Sequence, residues 1–162
     1  MKVVGHRACS DATAEVDPWI PMKVSWSPRS TADLLYLRIS GRSGGEVEFK
    51  VDLETGMLTS AIVLVAPPAS EALVPSGYEK ISEGAVPVLD LGIWRQRDAD
   101  RLRHGSVVEI QEDLGFVADG QEIRLRFGGR KPSSIIQCGP VRVGVSDHGD
   151  LAEIGAAVDI HP

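Results

Sequence analysis

Aromatic residues are scarce in this sequence, 5% of 162 positions, and most fall on strand faces expected to point inward. That leaves no stacking platform for single-stranded nucleic acid. Basic residues are short as well: 17 Lys and Arg stand against 23 Asp and Glu, a formal charge of −6. A protein that neutralises phosphates presents a net basic face, so nucleic acid is not the expected partner and a basic one is easier to accommodate. No run approaches the roughly 18 apolar residues of a membrane-spanning helix; the longest, Ala61 to Pro68, is strand-sized, so no membrane partner is expected. The opening MKVVGHRACSD lacks the apolar stretch of a secretory signal. With only Cys9 and Cys138 in the chain, a reducing, cytoplasmic setting is the expectation. Two buried free thiols are expected, with a disulfide over that long separation as the alternative.

Motifs that carry chemistry are missing too. His6 and Cys9 have ligand-like spacing, and His104, Cys138, His148 and His161 complete an inventory, but a zinc site needs two close pairs and only one loose pair exists. No metal is expected. Asp147-His148-Gly149-Asp150 lacks the alternating oxygen ligands of a calcium loop and reads as a turn. Neither a G-x-S-x-G elbow nor a glycine-rich phosphate loop occurs, and Gly128-Gly129-Arg130-Lys131 has no helix pattern after it. The neighbours Glu112 and Asp113 point in different directions on a strand or turn, which disqualifies them as an acid–base pair. The sequence therefore nominates no catalytic residue, no cofactor and no enzyme activity.

Strand signals are abundant. Val47, Phe49, Val51 and Leu53 alternate with Glu46, Glu48, Lys50 and Asp52, Glu54-Thr55-Gly56 supplies a turn, and Leu58 to Ala66 resumes as an apolar run. This is a β-hairpin whose second arm is central in a sheet. Val141, Val143 and Val145 begin a second hairpin that returns through Leu151, Ile154, Ala156 and Val158, and a third uses Leu114 to Ala118, Asp119-Gly120 and Ile123 to Phe127, after a strand from Ser106 to Gln111. Met22 to Trp26 and Leu34 to Ser40 read as two strands, Val86 to Ile93 as a further one, and Trp94 to His104 as a short helix or a loop. The expected fold is all-β and mainly antiparallel, a sandwich or partly open barrel of roughly eight to ten strands with at most one or two short helices. One domain spans residues 1–162, with 1–21 an irregular N-terminal segment and 67–93 a long acidic excursion.

That excursion is where a partner is expected, because long departures from a compact β domain are more often functional than decorative. Residues 46–93 hold eight acids (Glu46, Glu48, Asp52, Glu54, Glu71, Glu79, Glu83, Asp90) against Lys50 and Lys80. Glu71, Glu79, Glu83 and Asp90 are the expected partner-facing carboxylates. Tyr78 and Trp94 are the expected aromatic anchors of a charge-ringed hot spot, with core filling as the competing reading.

The phrases VDLETGMLTSAIVLV and VRVGVSDHGDLAEIGAAVD resemble those of small β-rich bacterial proteins, including immunity proteins of contact-dependent inhibition and other polymorphic-toxin systems. The resemblance covers the two hairpins, less than a third of the chain. It implies a cytoplasmic protein without catalysis that binds one cognate toxin domain, often a basic nuclease, and blocks it. The alternative is a ligand-binding or enzymatic β-barrel whose site is assembled from distant strand ends.

Overall fold

A computed structural model describes residues 1–27, 33–71, 77–96 and 103–158. The strands are β1 (Val3–Ala8), β2 (Asp11–Glu15), β3 (Met22–Ser27), β4 (Leu34–Gly41), β5 (Glu46–Asp52), β6 (Leu58–Val65), β7 (Lys80–Glu83), β8 (Ala85–Leu89), β9 (Val107–Glu112), β10 (Leu114–Ala118), β11 (Glu122–Phe127), β12 (Ser134–Cys138), β13 (Val141–Val145) and β14 (Leu151–Ala157). A single helical turn, α1 (Gly92–Arg95), follows β8. The first sheet runs β2-β3-β6-β5-β4-β9 and the second β10-β11-β14-β13-β12-β7, while β1 and β8 form a two-stranded ribbon. Neighbours are antiparallel except β4 with β9 and β7 with β12. The expected all-β, mainly antiparallel class holds; the form is a sandwich of two sheets and not a closed barrel.

Strand periodicity builds the interior. Val47, Phe49 and Val51 of β5 and Ile123, Leu125 and Phe127 of β11 are buried, and the Phe49 and Phe127 rings meet edge to face at 5.8 Å across the two sheets. Asp52 ends β5 by turning its carboxylate onto the following residues. Its Oδ1 accepts from the Glu54 amide (3.0 Å), the Thr55 amide (2.8 Å) and the Thr55 hydroxyl (2.9 Å), an Asx-type turn. Gly56 completes it at φ 74°, where a Cβ would lie 2.6 Å from the Leu89 carbonyl oxygen. The chain changes sheets with only Asp113 between β9 and β10, closing one seam of the sandwich.

A covalent tie spans another part of the molecule. Cys9, between β1 and β2, and Cys138, at the end of β12, form a disulfide with Cα atoms 6.4 Å apart and a sequence separation of 129. This corrects the expectation of free thiols. Long-range pairing makes the bond reachable: β1 lies on β8, the Cys9 amide donates to the Gly84 carbonyl (2.8 Å), and β7, just before Gly84, lies on β12. Disulfides persist in oxidising compartments, so the cytoplasmic expectation gains no support from this pair. Among the described residues no helix is long and apolar enough to cross a membrane.

The N-terminal segment is also corrected. Residues 1–21 are not irregular: they contain β1, β2 and the β2–β3 connection. The Val3 amide donates to the Gly149 carbonyl (2.9 Å), the Leu151 amide to the Met1 carbonyl (2.9 Å), and Lys2 Nζ pairs with Asp150 at 3.0 Å. The start of the chain is thereby stitched to the β13–β14 turn. The helix candidate at 94–104 shrinks to the one turn of α1, and residues 97–102 lie outside the described residues. The strand expected at Val86 to Ile93 is β8, which stops at Leu89.

Candidate functional site

The excursion leaves β6 by adding a short parallel bridge to the edge of β10, where Ser70 donates its amide to the Phe116 carbonyl (2.9 Å). It rejoins the second sheet at the opposite edge. The Glu79 amide donates to the Ser133 carbonyl (2.8 Å), and β7 then runs parallel to β12 with Ile81 opposite Ile135 and Glu83 opposite Gln137. Period-two geometry puts Glu79, Ile81 and Glu83 on one face of this edge and Lys80 and Ser82 on the other. Ile81 is 55% exposed and both glutamates are exposed. Among the described residues β12 is the sole neighbour of β7, leaving one side of its backbone open.

The six residues singled out from the sequence separate into three groups. Tyr78, Glu79 and Glu83 come together at the β7 edge. Glu71 lies toward the other side of the sheet, where its carbonyl accepts from Arg126 Nη1 (3.3 Å), and Asp90 is spent locally, its Oδ1 accepting from the Gly92 amide (2.9 Å) ahead of α1. Trp94 is core: it is 1% exposed and its Nε1 donates to the Tyr36 carbonyl (2.9 Å), so the core-filling alternative describes it. Ile81 had no place in the sequence reading, although the alternation Glu79-Lys80-Ile81-Ser82-Glu83 was the available signal.

A charged cluster on the outer face of the second sheet influences Tyr78. Glu153 of β14 is 9% exposed, and burial raises its carboxyl above the ordinary glutamate range against the opposing pull of Arg124, Arg126 and Arg142. Gly144, opposite it on β13, leaves the space the side chain fills: a Cβ there would sit 2.7 Å from Glu153 Cγ and 2.7 Å from Pro132 Cβ. Glu122 bridges the arginines, with Oε2 3.4 Å from Arg124 Nε and Oε1 bonded to Arg142 Nη2. The Tyr78 hydroxyl is pushed up by burial and then by the Glu153 charge, with Arg142 and Arg124 acting the other way. This cluster sets the electrostatic surroundings of Tyr78; among the described residues it holds no nucleophile paired with a base.

The other chemical candidates resolve into structure. Cys9 and Cys138 are bonded to each other, the His104 ring accepts from the Leu34 amide (3.2 Å), and His161 lies outside the described residues. Among the described residues no three His, Cys, Asp or Glu side chains could hold a metal ion. Glu112 pairs with Arg130 at 3.2 Å and Asp113 with Arg42 at 3.7 Å, so the two carboxylates serve different partners. An open depression of about 440 Å³ beside Glu79 mixes Arg130, Lys131 and His148 with Asp147 and Asp150. No family model matches this chain, and no curated protein matches it.

Proposed function

We propose that this chain is a non-catalytic binding protein that docks a cationic protein domain along the β7 edge and neutralises it, the working mode of an immunity protein toward its toxin. The observation that carries the reading is Ile81, 55% exposed between the exposed Glu79 and Glu83 on an open sheet edge. An apolar centre with a charged rim is the anatomy of a protein interface. An open edge offers main-chain hydrogen bonds to an incoming strand. The net charge of −6 steers a basic partner toward the surface by raising the encounter rate.

The test is affinity capture of the tagged protein from its native extract and from neighbouring gene products, at low and then moderate salt. Wild type and E79Q/I81S/E83Q are run side by side. One stoichiometric basic polypeptide retained by wild type and lost by the variant supports the reading. Identical retention by both proteins contradicts the placement, and the lack of any polypeptide partner contradicts the function.

A further inference from the structure

The β2–β3 connection runs Val16-Asp17-Pro18-Trp19-Ile20-Pro21. Its backbone is closed by one side chain: Asp17 Oδ1 accepts from the Trp19 amide (2.7 Å) and the Ile20 amide (2.8 Å), while the Asp17 amide donates to the Ile20 carbonyl (3.1 Å). Pro18 and Pro21 fix φ at two further points. This turn chemistry requires the aspartate and the prolines; it makes no use of an indole. Yet Trp19 is 88% exposed, the highest value among the exposed large hydrophobics, and Val16 beside it is 41% exposed. The other two tryptophans, Trp26 and Trp94, are each 1% exposed.

Scattered exposed aliphatic residues need no explanation. A whole indole held in water on a locked tip is different, because it is an aromatic anchor whose backbone is ordered before any partner arrives. We infer that the β2–β3 tip is a second docking element, in which Trp19 enters an apolar pocket on a folded protein whose rim is basic. The rim follows from charge complementarity: Asp11, Glu15 and Asp17 line β2 and the tip, and the nearby Lys23 is paired with Glu15 at 3.1 Å. The same carboxylates oppose an anionic lipid surface. The tip belongs to the first sheet and β7 to the second, so this inference stands independently of the β7 reading.

A benzophenone amino acid placed at position 19 of the full chain tests it by photo-crosslinking in native extract. The expected result is one discrete polypeptide adduct that excess wild-type protein competes away and excess W19A does not. Titrating that purified polypeptide should then shift the Trp19 emission to the blue. W19A should weaken binding about 30-fold, the level of an interface hot spot. D17A, which unlocks the tip and leaves the indole in place, should weaken it about tenfold. The inference is overturned if no competed adduct forms, or if W19A binds the purified polypeptide like wild type. A blue shift produced by phosphatidylcholine–phosphatidylglycerol vesicles, or a dimer that W19A dissociates, would overturn it in favour of a membrane or a second copy.

Discussion

The β2–β3 connection and the excursion from residue 67 to residue 93 treat their aromatic residues in opposite ways. The β2–β3 connection is short, closed by Asp17, and holds Trp19 out in water. The excursion from residue 67 to residue 93 is long and acidic, keeps its carboxylates and Ile81 exposed, and hands Trp94 just beyond it to the core. Composition cannot separate the two tryptophans. What separates them is the destination of the backbone: Trp94 follows the β8 strand onto the first sheet and finds the Tyr36 carbonyl for its N–H, whereas Trp19 sits on a turn that has already satisfied its own amides. A buried indole needs a partner for its nitrogen; an exposed one has water.

The comparison breaks most visibly in stability. W94A removes a buried ring and its N–H bond to the Tyr36 carbonyl, so it should cost about 4 kcal/mol in urea unfolding. W19A should stay within about 0.5 kcal/mol of wild type. Equal losses would mean that the tip is part of the core. The disulfide comes next. C9S/C138S releases a loop closed over a sequence separation of 129 and should cost about 3 kcal/mol, lowering Tm by roughly 10 °C. Amide exchange should quicken in β1 and β2 while the β5–β6 hairpin keeps its protection. An unchanged Tm would show that backbone pairing alone holds that part of the sandwich.

A smaller effect probes the charged cluster near Tyr78. The Glu153 carboxyl is raised by burial from an ordinary value of 4.5, opposed by Arg124, Arg126 and Arg142 and reinforced by Glu122. A raised carboxyl binds its proton more tightly in the folded chain than in the unfolded one. Its contribution to stability is therefore complete below the ordinary value and is lost as pH rises through the folded pKa. E153Q, which mimics the neutral form, should match wild type in acid and exceed it at neutral pH. A constant offset across the range would refute the burial argument.

The hairpins were legible because their turns carry their own chemistry. Asp52, Thr55 and Gly56 on one side and Asp147 to Asp150 on the other are turn residues between alternating or continuously apolar strand runs. β1 and β2 were not, for a physical reason: β1 is exposed over nearly its whole length and β2 buries only Ala12. β1 has no alternation to read and that of β2 rests on two small alanines, Ala12 and Ala14; both become strands through β8, β3 and the disulfide. The parallel pairings of β9 with β4 and β7 with β12 are equally non-local. At the candidate site, the acids of the excursion were legible as a group but their positions were not. Glu79 and Glu83 lie along one edge because the chain is extended into and through β7, whereas Glu71 stays near Arg126 and Asp90 turns onto α1. The exposure of Trp19 has no sequence signal, because exposure of an aromatic residue is set by tertiary packing and has no local pattern.

The central claim, electrostatic docking at the β7 edge, is tested most directly by stopped-flow association of the captured basic polypeptide. Wild type, E79Q/E83Q and the distant pair E71Q/D90N are compared between about 20 and about 300 mM salt. The account predicts that E79Q/E83Q associates about tenfold more slowly at low salt and loses most of its salt dependence, with E71Q/D90N close to wild type. Indistinguishable rates for wild type and E79Q/E83Q across that range would contradict it.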